Sequence, residues 1–135
     1  MKSDEEIKKD IKVFIDENGI FNIIFSGTEN EPDNNARFAE LTVEEIFRVL
    51  AEHPDKEFNL FVDLSTIQGI PYTSSKARGI YAKLGISKQV KKTAVAGNSA
   101  FMKYITLLVT KLSLRKGVKW FDDRNEAYAW IVKQK

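Results

Sequence analysis

With 135 residues, no cysteine and a single histidine, the chain has the length of one domain with one hydrophobic core, and it lacks the side chains for disulfides, thiolate nucleophiles, thiolate-bound zinc or a histidine-rich metal site. The formal net charge of +2 conceals 7 Lys/Arg against 15 Asp/Glu in residues 1–57 and 14 against 4 in residues 58–135. If folding keeps these halves apart, the basic one suits an acidic partner, an anionic surface or the acidic part of a second copy. No apolar run approaches the about 18 residues of a membrane span, and the charged opening MKSDEEIKKD is no signal sequence, so the expectation is a cytoplasmic protein without a transmembrane segment.

IKVFIDENGIFNIIFSG reads as two strands, 11–16 and 20–26, joined at Asn18-Gly19. A two-residue turn there makes the strands antiparallel and opposes Ile15 to Asn22, Phe14 to Ile23 and Val13 to Ile24. Residues 27–41, GTENEPDNNARFAEL, carry few apolar groups and read as a loop or poorly ordered excursion, with at most one helical turn at its end. Thr42 then opens a helix, with Glu45 completing a capping box, Leu41 and Ile46 at staple spacing, and an apolar stripe of Val43, Ile46, Phe47 and Leu50. Pro54 stops this helix beside His53, which reads as a surface or capping residue.

FNLFVDLS, 58–65, is nearly filled with apolar residues and is the candidate central strand, covered on both faces. A turn-rich link leads to a helix that starts near Thr73 or Ser74 and ends at Leu84 before Gly85; Gly79 weakens it unless another backbone approaches closely. KTAVAG, 92–97, is a short strand. Asn98 or Ser99 caps the longest helix, which reaches Leu112 and carries more apolar residues than a core stripe needs, so it is either deeply buried or meets a partner or an apolar ligand. Strand 118–121 and a final helix follow, with Asp123 and Glu126 at capping-box spacing and Ala127, Trp130 and Ile131 inward. The order β, β, α, β, α, β, α, β, α predicts one α/β domain over 1–135, with a mixed sheet of four to five strands: an antiparallel N-terminal hairpin, later parallel strands and flanking helices.

Three residue groups are candidates for function. Asp63 and Ser65 end the central strand, where ligands gather in open α/β sheets, and Thr73, Ser74 and Ser75 begin a helix whose free N–H groups favour a phosphoryl group; together they form a candidate regulatory site. Gly97, Asn98 and Ser99 offer a second helix entry for an anion or ligand, without the spacing of a P-loop. Tyr104, Leu107 and Leu108 are the candidate interface. No catalytic set, metal site or cofactor motif emerges: His53, Asp63 and Ser65 lack triad context, and Asp63 and Asp122, at neighbouring strand ends, each read more simply as a turn residue or helix cap than as an acid pair. Lys83, Lys88, Lys91 and Lys92 form one basic group and Lys111, Arg115, Lys116 and Lys119 another, with no nucleic-acid motif beside them.

FNLFVDLSTIQGI, YTSSKARGIYAKLG, KKTAVAGNSAFMKYITLLVTKL and VKWFDDRNEAYAWI, in that order, resemble the STAS-like, SpoIIAA-like family. The resemblance implies an anti-sigma-factor-antagonist-like fold and a non-enzymatic protein-interaction or regulatory module. In bacterial antagonist members of that family a serine at an Asp-Ser-Ser-Gly helix entry is phosphorylated. Ser74 matches that serine and Ser75 the next, while Thr73 replaces the aspartate and Lys76 the glycine. The architecture is also similar to that of lipid-binding domains. The expected partner is therefore a protein, with a homodimer, an apolar or lipid-like ligand and an anionic surface as alternatives, and neither nucleic acid nor a cofactor.

Overall fold

The computed structural model describes residues 2–27, 29, 31–67, 73–83, 88–113 and 117–134. In chain order its elements are α1 (Asp4–Lys8), β1 (Ile11–Ile15), β2 (Phe21–Phe25), α2 (Pro32–Ala51), β3 (Phe58–Asp63), α3 (Ser75–Ala82), β4 (Val90–Ala96), α4 (Ala100–Ser113), β5 (Val118–Phe121) and α5 (Arg124–Val132). The predicted α/β class is found. Five strands form one mixed sheet in the order β1-β2-β3-β4-β5, antiparallel between β1 and β2 and parallel at the other pairs. The expected helix end at Leu84 and Gly85, the link residues 68–72, the Leu112 side chain, and Arg115 and Lys116 lie outside the described residues.

The hairpin register differs by one residue from the expected one. Ile15 faces Phe21, Phe14 faces Asn22 and Val13 faces Ile23. Asp16 is the cause: its N–H donates to the Ile20 carbonyl at 3.0 Å, and its carboxyl accepts from the Asn18 and Ile20 amides at 2.9 and 3.1 Å. The loop therefore holds three residues between Asp16 and Ile20, with Gly19 at φ 77° in the left-handed region.

Helix α2 is the larger correction. It begins at Pro32, capped by Glu31, whose side chain accepts from the Asp33 amide; a proline tolerates this first position because its missing N–H has no partner there anyway. Residues 32–41 are thus helical. Thr42 is no cap but a buried mid-helix residue whose hydroxyl donates to the Phe38 carbonyl at 2.8 Å. Glu45 pairs with Arg48 instead of closing a box. Ala36, Phe38, Ala39 and Leu41 extend the apolar side of the helix backwards, and all four are buried, whereas Phe47 of the expected stripe is exposed. The opening segment also holds a short helix, α1, where Ser3 accepts from the Glu6 amide at 3.3 Å and Ile7 is fully buried.

Strand alternation divides the sheet into two faces. The row Ile23, Val62, Val95, Trp120 looks towards the helical layer, and the row Asn22, Phe61, Ala94, Lys119 looks the other way. On the first face Phe21, Ile23 and Phe25 pack with Phe38, Ile46 and Leu50 of α2. On the second, Phe61, Ala94 and Ala96 meet Ala127 and Ile131 of α5. No close backbone approach explains Gly79: a Cβ there meets nothing within 4 Å among the described residues. Gly79→Ala is therefore expected to stabilise the fold by about 1 kcal/mol, read as a higher denaturant midpoint at unchanged slope.

Candidate functional site

An apolar cavity of about 210 Å³ lies between the sheet and the helices. Ile23, Leu60 and Val95 form part of its floor, Thr42 of α2 and Tyr81 of α3 stand above them, and Ile105 and Val109 line it from α4. The void has a local origin. Over β4 the floor side chains Thr93 and Val95 are small, and α3 has only eight residues, so α4 spans a gap that larger side chains would fill. The described lining carries no ionisable group except the Tyr81 phenol. Burial pushes that phenol above its ordinary value, against a hydrogen bond with Thr42 that lowers it, so Tyr81 stays neutral and the lining is polar only through hydroxyls and the Asn35 amide.

Asn35 links this cavity to the predicted helix entry. Buried on α2, it accepts from the Ser74 N–H at 2.8 Å through Oδ1 and donates through Nδ2 to the Glu29 carbonyl at 2.8 Å. Ser74 caps α3, accepting from the Ala77 amide at 3.1 Å. Arg78 donates to the Thr73 carbonyl at 2.7 Å and to the Ser75 hydroxyl at 3.0 Å. Thr73 itself lines the cavity.

The strand-end residues form a second group. Asp63 is fully buried and accepts from the Ser65 amide at 2.9 Å and from the Ser65 hydroxyl. Its other oxygen has no hydrogen bond; Arg124 of α5 places Nε 3.2 Å away as an ion pair without aiming its N–H at it. Asn98 donates to the Ser65 carbonyl at 3.1 Å, and Ser99, not Asn98, caps α4 by accepting from the Met102 amide at 3.1 Å. Gly97 is closed off by Trp120 and Met102. These residues are engaged with one another.

The enzymatic arrangements considered from sequence are not assembled. His53 lies edge-on to Phe58 at the start of β3, at a ring separation of 5.9 Å, while Asp63 ends that strand. Asp122 accepts from the Trp120 indole at 2.8 Å, and Asp63 faces Arg124 rather than a second acid. Among the described residues no three His, Cys, Asp or Glu side chains are grouped to hold a metal, and no helix is long and apolar enough to cross a membrane. Of the interface candidates, Tyr104 and Leu107 are exposed and Leu108 is half-buried. On the opposite face a second cleft, of about 350 Å³, runs beside Asp16, Asn22, Arg124 and Tyr128.

A five-stranded sheet with an antiparallel β1–β2 pair, followed by strand-helix alternation, is the frame on which a family can be tested, and the SpoIIAA-like family model matches residues 20–132. The chain belongs to the SpoIIAA-like family. No curated protein and no solved structure matches it. The matched segment begins at the second hairpin strand and runs to the end of α5, so it includes every wall of the cavity named above, and the SpoIIAA-like frame and the void occupy the same part of the chain. Sequence reading missed the α2 contribution, since Asn35 and Phe38 stood in a presumed loop. The signal was there: Pro32 at a first helical position, then Phe38, Leu41 and Thr42 at helical spacing.

Proposed function

We propose that this SpoIIAA-like chain is a non-enzymatic regulatory module whose input is a small, uncharged apolar ligand held between the sheet and α4. The cavity carries this reading. At about 210 Å³ it exceeds the roughly 150 Å³ of an engineered apolar cavity that takes benzene. A charged ligand would lose its hydration there without gaining a counter-charge from the described lining. Burial of apolar ligand surface supplies the affinity, and the threonine hydroxyls and Asn35 orient one polar group.

Native mass spectrometry of gently purified protein is expected to show an apolar adduct, and the neutral fluorophore 1-aminoanthracene to bind with enhanced emission. Val95→Phe, which fills the cavity from its floor, is expected to weaken the fluorophore at least about tenfold, or 1.4 kcal/mol, while the protein stays folded. Absence of both adduct and fluorophore binding in the unsubstituted protein would rule the reading out.

A second reading, a protein partner that docks at or modifies the Thr73–Ser75 helix entry, is favoured by Arg78, whose guanidinium already reaches the Ser75 hydroxyl and would pair with a phosphoryl group there. The two readings meet at Asn35, which touches both the cavity and the Ser74 backbone: a ligand that shifts α2 would move the helix entry with it.

A further inference from the structure

The charge asymmetry of the sequence becomes an asymmetry of the helical layer. From Leu64 to Phe121 the chain contains no Asp or Glu, and this stretch supplies α3, β4, α4 and β5. The helices pack in chain order, α1 on α2, α2 on α3 and α3 on α4. Acidic Asp33, Glu40, Glu44 and Glu45 of α2 therefore lie towards one end of the layer and Lys103 and Lys111 of α4 at the other.

The outer side of α4 is apolar as well as basic. Phe101, Tyr104 and Leu107 are 46%, 59% and 55% exposed, and their three-residue spacing keeps them on one flank. Leu107 stands one helical turn from each of two exposed lysines, Lys103 and Lys111. Met102, Ile105 and Val109 occupy the inner flank against the cavity. Apolar chains of unequal length projecting from the outer side of one helix need a matching groove in a protein partner, whereas a lipid interface deforms around them. Lysines beside such a stripe meet lipid phosphates at the depth where the apolar chains enter the acyl boundary, and tyrosine is at home in that interface.

We propose that α4 docks this protein on an anionic lipid bilayer, with Phe101, Tyr104 and Leu107 inserted, Lys103 and Lys111 on the headgroups, and the acidic α1–α2 end turned away. The layer's charge gradient orients the encounter before contact, because the acidic end is repelled by the same surface. Phe101 belongs to both surfaces, lining the cavity and exposed at the helix start. Docking thus sets the α4 wall of the cavity against the phase in which apolar molecules dissolve. The surface stands on its own residues, whether or not the cavity is filled.

Vesicle flotation tests it. The protein is expected to float with phosphatidylcholine vesicles containing phosphatidylglycerol and to bind pure phosphatidylcholine at least about tenfold more weakly, because Lys103 and Lys111 find no anionic headgroups there. Leu107→Glu and Lys103→Glu, both at exposed positions, are expected to lower binding to the anionic vesicles about tenfold or more with unchanged circular dichroism. Val95→Phe is expected to float like the unsubstituted protein, which separates failure of the cavity reading from failure of this one. Equal binding to both vesicle types, binding to neither, full binding by both glutamate variants, or retention on a polyglutamate matrix with the vesicles ignored would overturn the proposal.

Discussion

Replacing Asp16 by alanine is expected to lower stability by about 3 kcal/mol at neutral pH, and by less in acid. One carboxyl accepts from the Asn18 and Ile20 amides, from the Asn22 side chain at 3.0 Å and from the Tyr128 hydroxyl. It thereby sets the hairpin register and ties the hairpin to α5. Hydrogen bonds to a charged acceptor contribute about 1.5–3 kcal/mol each where water is excluded, and less at a half-buried site such as this. Burial pushes the Asp16 carboxyl up, but the bonds from Tyr128, Asn22 and the Ile20 and Asn18 amides outweigh it and hold the group below the usual carboxylate range.

The sign of the pH dependence follows from that depression. A carboxyl with a lower folded than unfolded pKa contributes stability that is complete above the unfolded value, about 3.9, and lost as pH falls through the folded value. Urea unfolding of the two proteins is therefore expected to differ most near neutral pH, with a gap that narrows as pH falls below the unfolded carboxyl value of about 3.9. A gap that stays constant with pH would show that Asp16 acts through shape alone. Tyr128 carries the reciprocal shift: burial raises its phenol, the Asn18 hydrogen bond lowers it, and Asp16 raises it further.

The second large effect is expected at Gly97. A Cβ there would stand 2.3 Å from the Trp120 ring and 3.0 Å from the Met102 sulfur. The indole has little freedom to yield: its N–H is bonded to Asp122 at 2.8 Å, and Val95 lies beside it in the β4–β5 register. Gly97→Ala is expected to cost about 3 kcal/mol, at the upper end of overpacking, and to lower the melting temperature by roughly ten degrees. Pairing it with Trp120→Phe is expected to recover part of the loss, because the clash falls on the outer ring of the indole. The effect bears on the site as well, since Gly97 joins β4 to the helix that lines the cavity.

Much of the scaffold is written in short-range patterns. Phe58–Asp63 lies in a stretch nearly filled with apolar residues, Ser74 and Asp123 cap the helices they precede, and Ala127 and Ile131 mark the inner side of α5, all readable because capping and periodicity act over three or four residues. The left-handed Gly19 and the parallel order of the later strands belong to the same class. Other features depend on segments that meet only after folding. The hairpin register required knowing that one Asp16 carboxyl would outcompete an Asn-Gly turn. Helix α2 reached back to Pro32 because Phe38 and Leu41 found the sheet, and burial outweighed the polar residues around them. The candidate site belongs wholly to this second class. A void is a difference between the volume that two layers enclose and the volume that their side chains fill, and no local pattern encodes that difference. Sequence alone determined the α/β frame and the crowding of apolar residues on α4. Tertiary packing decided that one flank of α4 roofs a cavity while the other faces outward, because only the sheet beneath it distinguishes its inside from its outside.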